Sequence, residues 1–386
     1  MVRIILLTDF SEEYAKNLLK GIARYSKGRG SWVLCKMPLS YRDMHDLEGV
    51  LEWALNWKAD CIIAQFYNTD HVRIFRENGI VAIAQDFKQR FSDILNITGA
   101  HYQAGQMGAN YFIKKGFQHF AFYGFKGIVW SEERCEGFRD EVEKQGWGSN
   151  FSEYQNIEFK DLWFYESAPL TEWLLSLPKP VAIMACDDNQ GHHIIEACNQ
   201  CGIKVPEEVA VLGVDNDEAV CTLSYPPLSS IHQAVEKGGY ETAALIEKMM
   251  KNPDAVYEDV VVYPTHIVTR QSTDIYATDD KSISVILKYI HQNTDKKLNV
   301  TDLLKLVPLS RRLLETRFRE VTGLSVYSYI LNLRIQKFAE KLIYSKDTVV
   351  EIAMKMGFTD YKNISRQFKA IKGCTPSEYR LKRSVK

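Results

Sequence analysis

A pattern spanning residues 301–330 recurs at residues 351–380. The first copy reads TDLLKLVPLSRRLLETRFREVTGLSVYSYI and the second reads EIAMKMGFTDYKNISRQFKAIKGCTPSEYR. Each copy has a short apolar-periodic segment, a tight corner and a longer segment with apolar residues at helical spacing. The positions that match at an offset of fifty residues are Phe318 with Phe368, Gly323 with Gly373 and Tyr329 with Tyr379.

The repeat predicts two helix-turn-helix units that are joined by a long helix. Between the corners, VYSYILNLRIQKFAEKLIYS (326–345) carries apolar residues at helical spacing. In such a unit the second helix lies in the major groove of DNA while the first braces it against the backbone. The alternative is a set of ordinary amphipathic helices with solvated lysines.

The charge distribution favours the DNA-binding interpretation. Residues 279–386 contain 22 Lys and Arg against 11 Asp and Glu, which is a net charge of +11. Residues 1–278 contain 26 against 38, which is a net charge of −12. A basic segment attached to an acidic body is expected to contact a polyanion.

Short apolar runs alternate with amphipathic stretches through the first 270 residues. Most of the runs are continuous, which is typical of parallel strands covered on both faces. This order predicts an α/β fold of two doubly wound parallel sheets over 1–275, and helices alone predict an all-α domain over 276–386. The predicted strands are 3–8, 61–66, 80–86, 119–125, 181–187 and 209–215, and the clearest helices are 14–26, 103–116 and 191–202.

Two such sheets are expected to share a cleft at the carboxyl ends of their strands, where ligands bind. Carboxylates and amides that accept from hydroxyls, an Arg donor and an aromatic face for the C–H side of a sugar suit a small polyol. An Asp at a strand end is as often a helix N-cap, and Asp187 or Asp188 fits that alternative. The predicted ligand-binding residues are Asp9, Gln65, Trp130, Arg134, Asp187 and Asp215, with Gln85 and Asp86 also at strand ends.

The sequence predicts neither a cofactor nor a metal site. Eight scattered cysteines without an export signal are expected to be reduced thiols, so the protein is expected to be cytoplasmic. Cys198 and Cys201 stand close together, but a structural zinc site needs further ligands at a suitable spacing. No apolar run is long enough to span a membrane.

A stretch of ninety-five residues near the carboxyl end is similar to a known DNA-binding domain. The stretch from Val285 to Tyr379 resembles the AraC/XylS-type domain, and GFTDYKNISRQFKAIKGCTPSEYR is close to its signature. The first unit departs from that pattern at Leu304 and Pro308, which predicts a different corner. The resemblance implies base contacts by Arg312, Glu315, Thr316, Tyr361, Lys362 and Arg366, and Arg311, Arg319, Lys369 and Lys372 are better placed for phosphates.

The first part of the chain resembles the LacI/GalR-type, periplasmic-binding-protein-like fold. The similar pieces are TDFSEEYAKNLLKGIARY, SEERCEGFR, CDDNQ and VPEEVAVLGVDND. The resemblance implies that Arg134, Asp187 and Asp215 hold a sugar. The chain departs from that family because no helix-turn-helix precedes the first strand, and because Ala100 and His101 replace its usual Asp-Asn pair.

The order of the two domains resembles the bacterial xylose-operon activator family. That resemblance implies a homodimeric transcription activator that responds to D-xylose, binds promoter DNA and works with RNA polymerase. Three alternatives stay open: a response to another small sugar, a first domain that only dimerises, and a sugar-active enzyme with a DNA-binding tail. The enzyme is disfavoured because the chain has no GxSxG, P-loop or HExxH motif and no glycine-rich fingerprint after the first strand.

Overall fold

A computed structural model describes most of the chain. The described residues are 1–67, 71–86, 88–157, 167–253, 255–275, 278, 280–294, 296, 298–345, 347–358 and 361–383, with the side chains of 155–157, 292, 336, 340, 343, 344, 361, 362 and 381–383 left outside the description. The chain forms two compact units, Met1–Asp274 and Ile275–Lys386.

The first unit contains two lobes, each built on a six-stranded sheet. In the first lobe the strand order is β11-β5-β4-β3-β1-β2, and all of these strands are parallel. The strands are β1 (Val2–Leu7), β2 (Trp32–Met37), β3 (Cys61–Ala64), β4 (Val81–Gln85), β5 (Leu95–Gly99) and β11 (Val260–Val262). The helices that cover this sheet are α1 (Glu13–Ser26), α2 (Leu39–Trp57), α3 (Arg73–Glu77) and α9 (Val235–Lys251).

The second lobe repeats this topology. Its strand order is β12-β10-β9-β8-β6-β7, with β12 antiparallel to β10 and the other pairs parallel. The strands are β6 (His119–Phe125), β7 (Phe151–Ile157), β8 (Val181–Ala185), β9 (Val209–Val214), β10 (Ser229–Gln233) and β12 (Pro264–Val268). The helices are α4 (His101–Lys114), α5 (Val129–Lys144), α6 (Ser167–Ser176), α7 (Asp188–Cys201) and α8 (Glu218–Leu223).

The continuous apolar runs lie in the sheet interiors, as predicted. Strands β3, β8 and β9 are buried at every residue. The first sheet is covered by α1 and α9 on one face and by α2 and α3 on the other. The α/β fold with two parallel sheets is therefore confirmed, and the strands missed from sequence lie mainly at or near the sheet edges.

Glycines let one pair of helices cross at backbone contact in each lobe. Gly21 is the ninth residue of α1 and Gly137 is the ninth residue of α5, whereas Gly239 and Gly105 are the fifth residues of α9 and α4. A Cβ atom on Gly105 would lie 2.1 Å from the carbonyl oxygen of Arg134. A Cβ atom placed on Gly137 would likewise lie 2.0 Å from the carbonyl oxygen of Tyr102. In the first lobe, a Cβ atom on Gly21 would lie 2.0 Å from the carbonyl oxygen of Glu236, and one on Gly239 would lie 2.1 Å from that of Leu18.

The second unit is helical throughout its described residues, apart from turns and connecting segments. A core around α10 and α12 includes the first half of α13, and a second core around α14, α15 and α16 includes its second half. The helix α13 is therefore shared by both helix-turn-helix units. The helices are α10 (Lys281–Gln292), α11 (Val300–Leu303), α12 (Arg311–Thr322), α13 (Val326–Tyr344), α14 (Val349–Lys355), α15 (Tyr361–Lys372) and α16 (Pro376–Arg383).

The two helix-turn-helix units have the same burial pattern, which confirms the predicted pair of motifs. Phe318 and Phe368 are each fully buried. The glycines that end α12 and α15 both have a left-handed φ, of 72° and 75°. The two corners differ, as expected, because Gly357 turns the second with φ of 70° whereas residues 304–309 of the first contain no left-handed residue. Within the described part of the chain, no helix is both long and apolar enough to cross a bilayer.

Gly105→Ala is expected to destabilise the first unit by about 1–3 kcal/mol, because α4 and α5 must separate to admit the methyl group. Chemical denaturation of the full chain measures the loss. Gln103→Ala on the exposed face of the same helix serves as the control and should change stability little. Equal stability of the two variants would contradict the close crossing.

Candidate functional sites

A cleft of about 470 Å³ lies between the two lobes of the first unit. Its walls are formed by the carboxyl ends of β1, β3 and β4 in one lobe and of β8 and β9 in the other. The start of α5 also reaches it. All six predicted ligand-binding residues line this cleft, namely Asp9, Gln65, Trp130, Arg134, Asp187 and Asp215.

Arg134 is the buried cation of the cleft, with 3% of its surface exposed. One guanidinium nitrogen donates to the carbonyl oxygen of Cys186, and another lies 3.4 Å from Asp215 Oδ1. The guanidinium carbon lies 5.1 Å from the centroid of the Trp130 ring. An arginine held on three sides has a restricted orientation, and its Nε atom is left buried without a hydrogen-bond partner in the described protein.

Asp215 has a strained backbone at the end of β9. Its φ of 98° is one that non-glycine residues rarely adopt. Its Oδ1 atom also accepts a hydrogen bond from Gln233 Nε2. Strain of this kind persists where the surrounding structure fixes a side chain for a function, and here it directs a carboxylate into the cleft.

Asp187 fits both sequence interpretations at once. It is the N-cap of α7, because its Oδ1 accepts from the backbone nitrogen of Gln190 over 2.7 Å, and it also lines the cleft. Burial, opposed by that hydrogen bond, raises the pKa of Asp187 to about 6, with a further contribution from Asp215. Burial also raises the pKa of the neighbouring Asp188 well above its ordinary value.

The wall of the first lobe contains a second polar group around Asp86. Its Oδ2 atom accepts from Thr98 Oγ1 and lies 3.3 Å from Nε2 of His101. Burial lowers the pKa of His101, which favours the neutral imidazole. His101 therefore lines the cleft at the position where the similar family usually has an Asp-Asn pair.

Several cleft residues have buried polar atoms without a hydrogen-bond partner in the described protein. Buried polar atoms are almost always paired in folded proteins, since leaving one unpaired costs about 1–3 kcal/mol. These atoms include both hydrogen-bond donors and acceptors, which suits a polyhydroxy ligand. They are Gln65 Oε1, Gln85 Oε1, Asp86 Oδ1, His101 Nδ1, Arg134 Nε and Asp188 Oδ1.

Sequence reasoning missed several residues of the cleft. Glu12 and Tyr14 lie at the start of α1, and His101 begins α4. Enclosure in the cleft, and then the charges of Asp187 and Asp215, raise the pKa of Glu12 to about 8, although the residue is exposed to solvent. The segment TDFSEEY contained the available signal, because acidic residues and Tyr14 follow the first strand directly.

The second helices of the two helix-turn-helix units, α12 and α15, are the recognition helices, and several of their predicted DNA contacts are exposed. On α12, Arg311, Arg312 and Thr316 are exposed, and on α15, Arg366 and Lys369 are exposed. The predicted phosphate contact Arg319 is also exposed, whereas Lys372 is half-buried. The side chains of two further predicted DNA contacts, Tyr361 and Lys362, lie outside the described residues.

Glu315 differs from the other predicted DNA contacts. It is half-buried, and its Oε2 atom accepts from the backbone nitrogen of Val326 over 3.4 Å. A carboxylate at the amino end of a helix stabilises that helix. Glu315 therefore has a structural role at the start of α13, and its predicted contact with DNA stays a prediction.

The pair Cys198 and Cys201 lies on α7. Cys198 is fully buried in the core of the second lobe, and Cys201 is half-buried beside it. Burial raises the pKa of the Cys198 thiol to about 12. Among the residues that the structure describes, no three His, Cys, Asp or Glu side chains cluster so that they could hold a metal ion.

Comparison with known proteins agrees with this geometry. Residues 109–273 match the family described as a periplasmic binding protein-like domain, and residues 303–382 match a helix-turn-helix domain. Over 98% of the chain, the sequence is 26% identical to the xylose operon regulatory proteins of Escherichia coli (strain K12) and Haemophilus influenzae, covering 96% and 98% of those proteins. The chain is a homologue of the xylose operon regulatory proteins.

Solved structures show the same architecture. The xylose-binding transcription activator XylR superposes with a TM-score of 0.63 at 25% identity, over 99% of this chain and 98% of that one. A LacI family regulator from Enterococcus faecium with bound ribose shares the fold of the first unit, with a TM-score of 0.59 at 17% identity, over 72% of this chain and 100% of that one. The protein is therefore a transcription regulator that joins a periplasmic-binding-protein-like sensor to a helix-turn-helix DNA-binding domain.

Asp187→Asn is expected to stabilise this regulator above about pH 6 by about 3 kcal/mol. Because its pKa is raised, Asp187 holds its proton more tightly in the folded protein than in the unfolded chain. The folded state therefore loses stability as the pH rises from 3.8, the ordinary pKa of Asp, to about 6. Asparagine removes that loss and remains a good N-cap.

Thermal unfolding of both proteins across this pH range measures the difference, which should grow with pH. Asp217→Asn at the N-cap of α8 is the matched control. A difference for Asp187→Asn that does not depend on pH would contradict the assignment.

Proposed function

We propose that this regulator binds D-xylose in the cleft and activates xylose-utilisation genes in the cytoplasm by binding promoter DNA. The set of unpartnered buried polar atoms around Arg134 supports a small polyol as the ligand. The full-length homology to proteins named for the xylose operon supports xylose among the possible sugars.

The cleft residues divide into three roles in this proposal. Asp9, Asp187 and Asp215 accept hydrogen bonds from sugar hydroxyls, and Gln65 completes that set. Arg134 donates to a ring or hydroxyl oxygen. The face of Trp130 packs against the C–H side of the sugar. A site of this kind rejects a ligand that lacks one hydroxyl, because its protein partner would stay buried and unsatisfied.

Binding is coupled to DNA through closure of the two lobes. A ligand shifts an equilibrium between open and closed forms only by its difference in affinity for the two. Here the proposed ligand-binding residues come from both lobes, so we infer that the closed form binds the ligand more tightly. We infer that closure changes the arrangement of a homodimer and thereby the contacts of its DNA-binding domains with promoter DNA and RNA polymerase.

Both helix-turn-helix units contact DNA in this proposal. Arg312, Thr316 and Arg366 read base edges, together with Glu315, Tyr361 and Lys362. Arg311 and Lys369 hold phosphates, as do Arg319 and Lys372. Two recognition helices on one domain fit successive turns of the major groove, and contacts of this kind make affinity fall steeply with salt.

The response to D-xylose is the central test. Operator affinity and transcription should both change when D-xylose is added to the full-length regulator, and L-arabinose and D-ribose should act more weakly. Arg134→Met should weaken D-xylose binding by about a hundredfold, because it removes the proposed guanidinium donor to the sugar and leaves the half-buried Asp215 without its cation.

Arg139→Met is the matched control for that variant. Arg139 lies on the same helix and pairs with Glu153 across 3.2 Å, away from the cleft residues. This control should retain both sugar binding and the transcriptional response. Equal operator affinity and equal transcription with and without D-xylose in the wild type would refute the coupling.

The substitutions Arg366→Ala and Lys369→Ala distinguish a base contact from a phosphate contact. Loss of a base contact should cost about 1–3 kcal/mol on the operator and relax specificity at one position. Loss of a phosphate contact should weaken binding to every duplex and lower the salt slope by about 1. Titrations against operator and random duplexes at several salt concentrations distinguish them. If Arg366→Ala weakens all duplexes equally, Arg366 is a phosphate contact.

A further inference from the structure

A short segment of the first lobe reaches across to the second lobe outside the cleft. Arg90, which follows β4, forms two parallel hydrogen bonds with Glu133 of α5, at 2.5 Å from Nη1 to Oε1 and 2.7 Å from Nη2 to Oε2. Close by, the backbone nitrogen of Val129 donates to the carbonyl oxygen of Lys88 over 3.2 Å. These contacts connect a loop of one lobe to the first turns of a helix in the other.

The same guanidinium also reaches the cleft wall of its own lobe. Its Nε atom donates to Thr98 Oγ1 over 2.8 Å and lies 3.5 Å from Asp86 Oδ2. Asp86 lines the cleft, and its Oδ1 atom is one of the buried atoms without a partner in the described protein. Because the guanidinium is planar and rigid, the position of Arg90 is tied to the orientation of Asp86.

Glu133 is the residue before Arg134 and lies on the same helix as Trp130. The glycine crossing packs this helix against α4 at backbone contact, so we expect Glu133, Trp130 and Arg134 to shift together when the helix shifts. Any force that draws Glu133 towards the first lobe therefore also draws Trp130 and Arg134 towards the cleft. The ion pair acts on the two groups that face the ligand without contacting the ligand.

The pair is only partly shielded from water. The side chain of Arg90 is 34% exposed and that of Glu133 is 27% exposed. The paired carboxylate of Glu133 raises the pKa of Arg90, so the guanidinium remains charged. A bidentate pair at this exposure is modest in strength and weakens as salt is added.

We propose that Arg90 and Glu133 form a latch between the lobes, which assembles when the cleft closes and stabilises the closed, ligand-bound form. The latch rests on the proposed function, in which sugar binding closes the cleft. A hydroxyl that donates to Asp86 orients the carboxylate that Arg90 contacts, and Arg90 then holds α5. Both are positioning residues, because neither lines the cleft in the described structure.

Calorimetric titration of the full-length regulator with D-xylose tests this latch. Arg90→Gln and Glu133→Gln should each weaken binding by about threefold to tenfold, and the double variant should be no weaker than either single one. The charge swap of Arg90→Glu with Glu133→Arg should recover part of the affinity. Added salt should weaken binding by the wild type more than binding by Glu133→Gln.

Arg73→Gln is the matched control. Arg73 pairs with Asp93 across 2.7 Å within the first lobe, so the variant makes the same change of charge without touching the second lobe. Its sugar affinity should equal that of the wild type. Fluorescent labels on the two lobes should also report a larger separation in sugar-bound Glu133→Gln than in sugar-bound wild type.

Two results would overturn the latch. One is an unchanged affinity in Glu133→Gln, and the other is additive loss in the double variant. If the wild type binds no sugar at all, the proposed function fails instead. The latch is then judged by the coupling of Arg90 and Glu133 in thermal unfolding, where the absence of coupling would overturn it.

Discussion

The crossings of the chain between the two lobes are the constraint on which the sensor depends. The described chain passes between the lobes from β5 to α4, from β10 to α9 and from β11 to β12. The first two connections are hydrogen-bonded to the last, since Ala100 N donates to Val262 O over 2.8 Å and Ala234 N donates to Tyr263 O over 3.0 Å. Because these segments lie side by side, the two sheets turn the carboxyl ends of their strands towards one cleft. A small rotation at the crossings would change all distances across the cleft together, which is the requirement for a ligand to act on the whole unit.

The cleft contains polar groups that the protein leaves without partners among its described residues. It gathers carboxylates such as Glu12 and Asp187, whose raised pKa values show that their charged forms are disfavoured there. It also leaves buried atoms of Gln65 and Arg134 without partners in the described protein. A polyhydroxy ligand that satisfies these atoms gains the free energy that the unliganded protein lacks, so affinity and the cost of the empty site have the same origin.

The DNA-binding unit is built from two copies of one helix-turn-helix motif. A pair of short helices cannot bury enough apolar surface alone, and each unit completes its core with half of the shared helix α13. Tyr329 belongs to the first core and Phe338 to the second. Residues 313–320 and 363–370 have the same order of buried, half-buried and exposed positions, so the exposed positions of both recognition helices are also equivalent. This equivalence explains why a repeat in sequence predicted a repeat in function.

The sequence by itself determined the strands with continuous apolar runs, both helix-turn-helix units and the residue types at the ends of those strands. Continuous apolar runs predicted strands such as β8 and β9, and the fifty-residue repeat predicted both helix-turn-helix units, because these signals are local and periodic. Only the tertiary structure decided which side chains meet. His101 enters the cleft, and Arg90 reaches Glu133, through contacts between residues that are distant in the chain. Such contacts depend on how two sheets are set against each other, and no periodicity within a single segment encodes that arrangement.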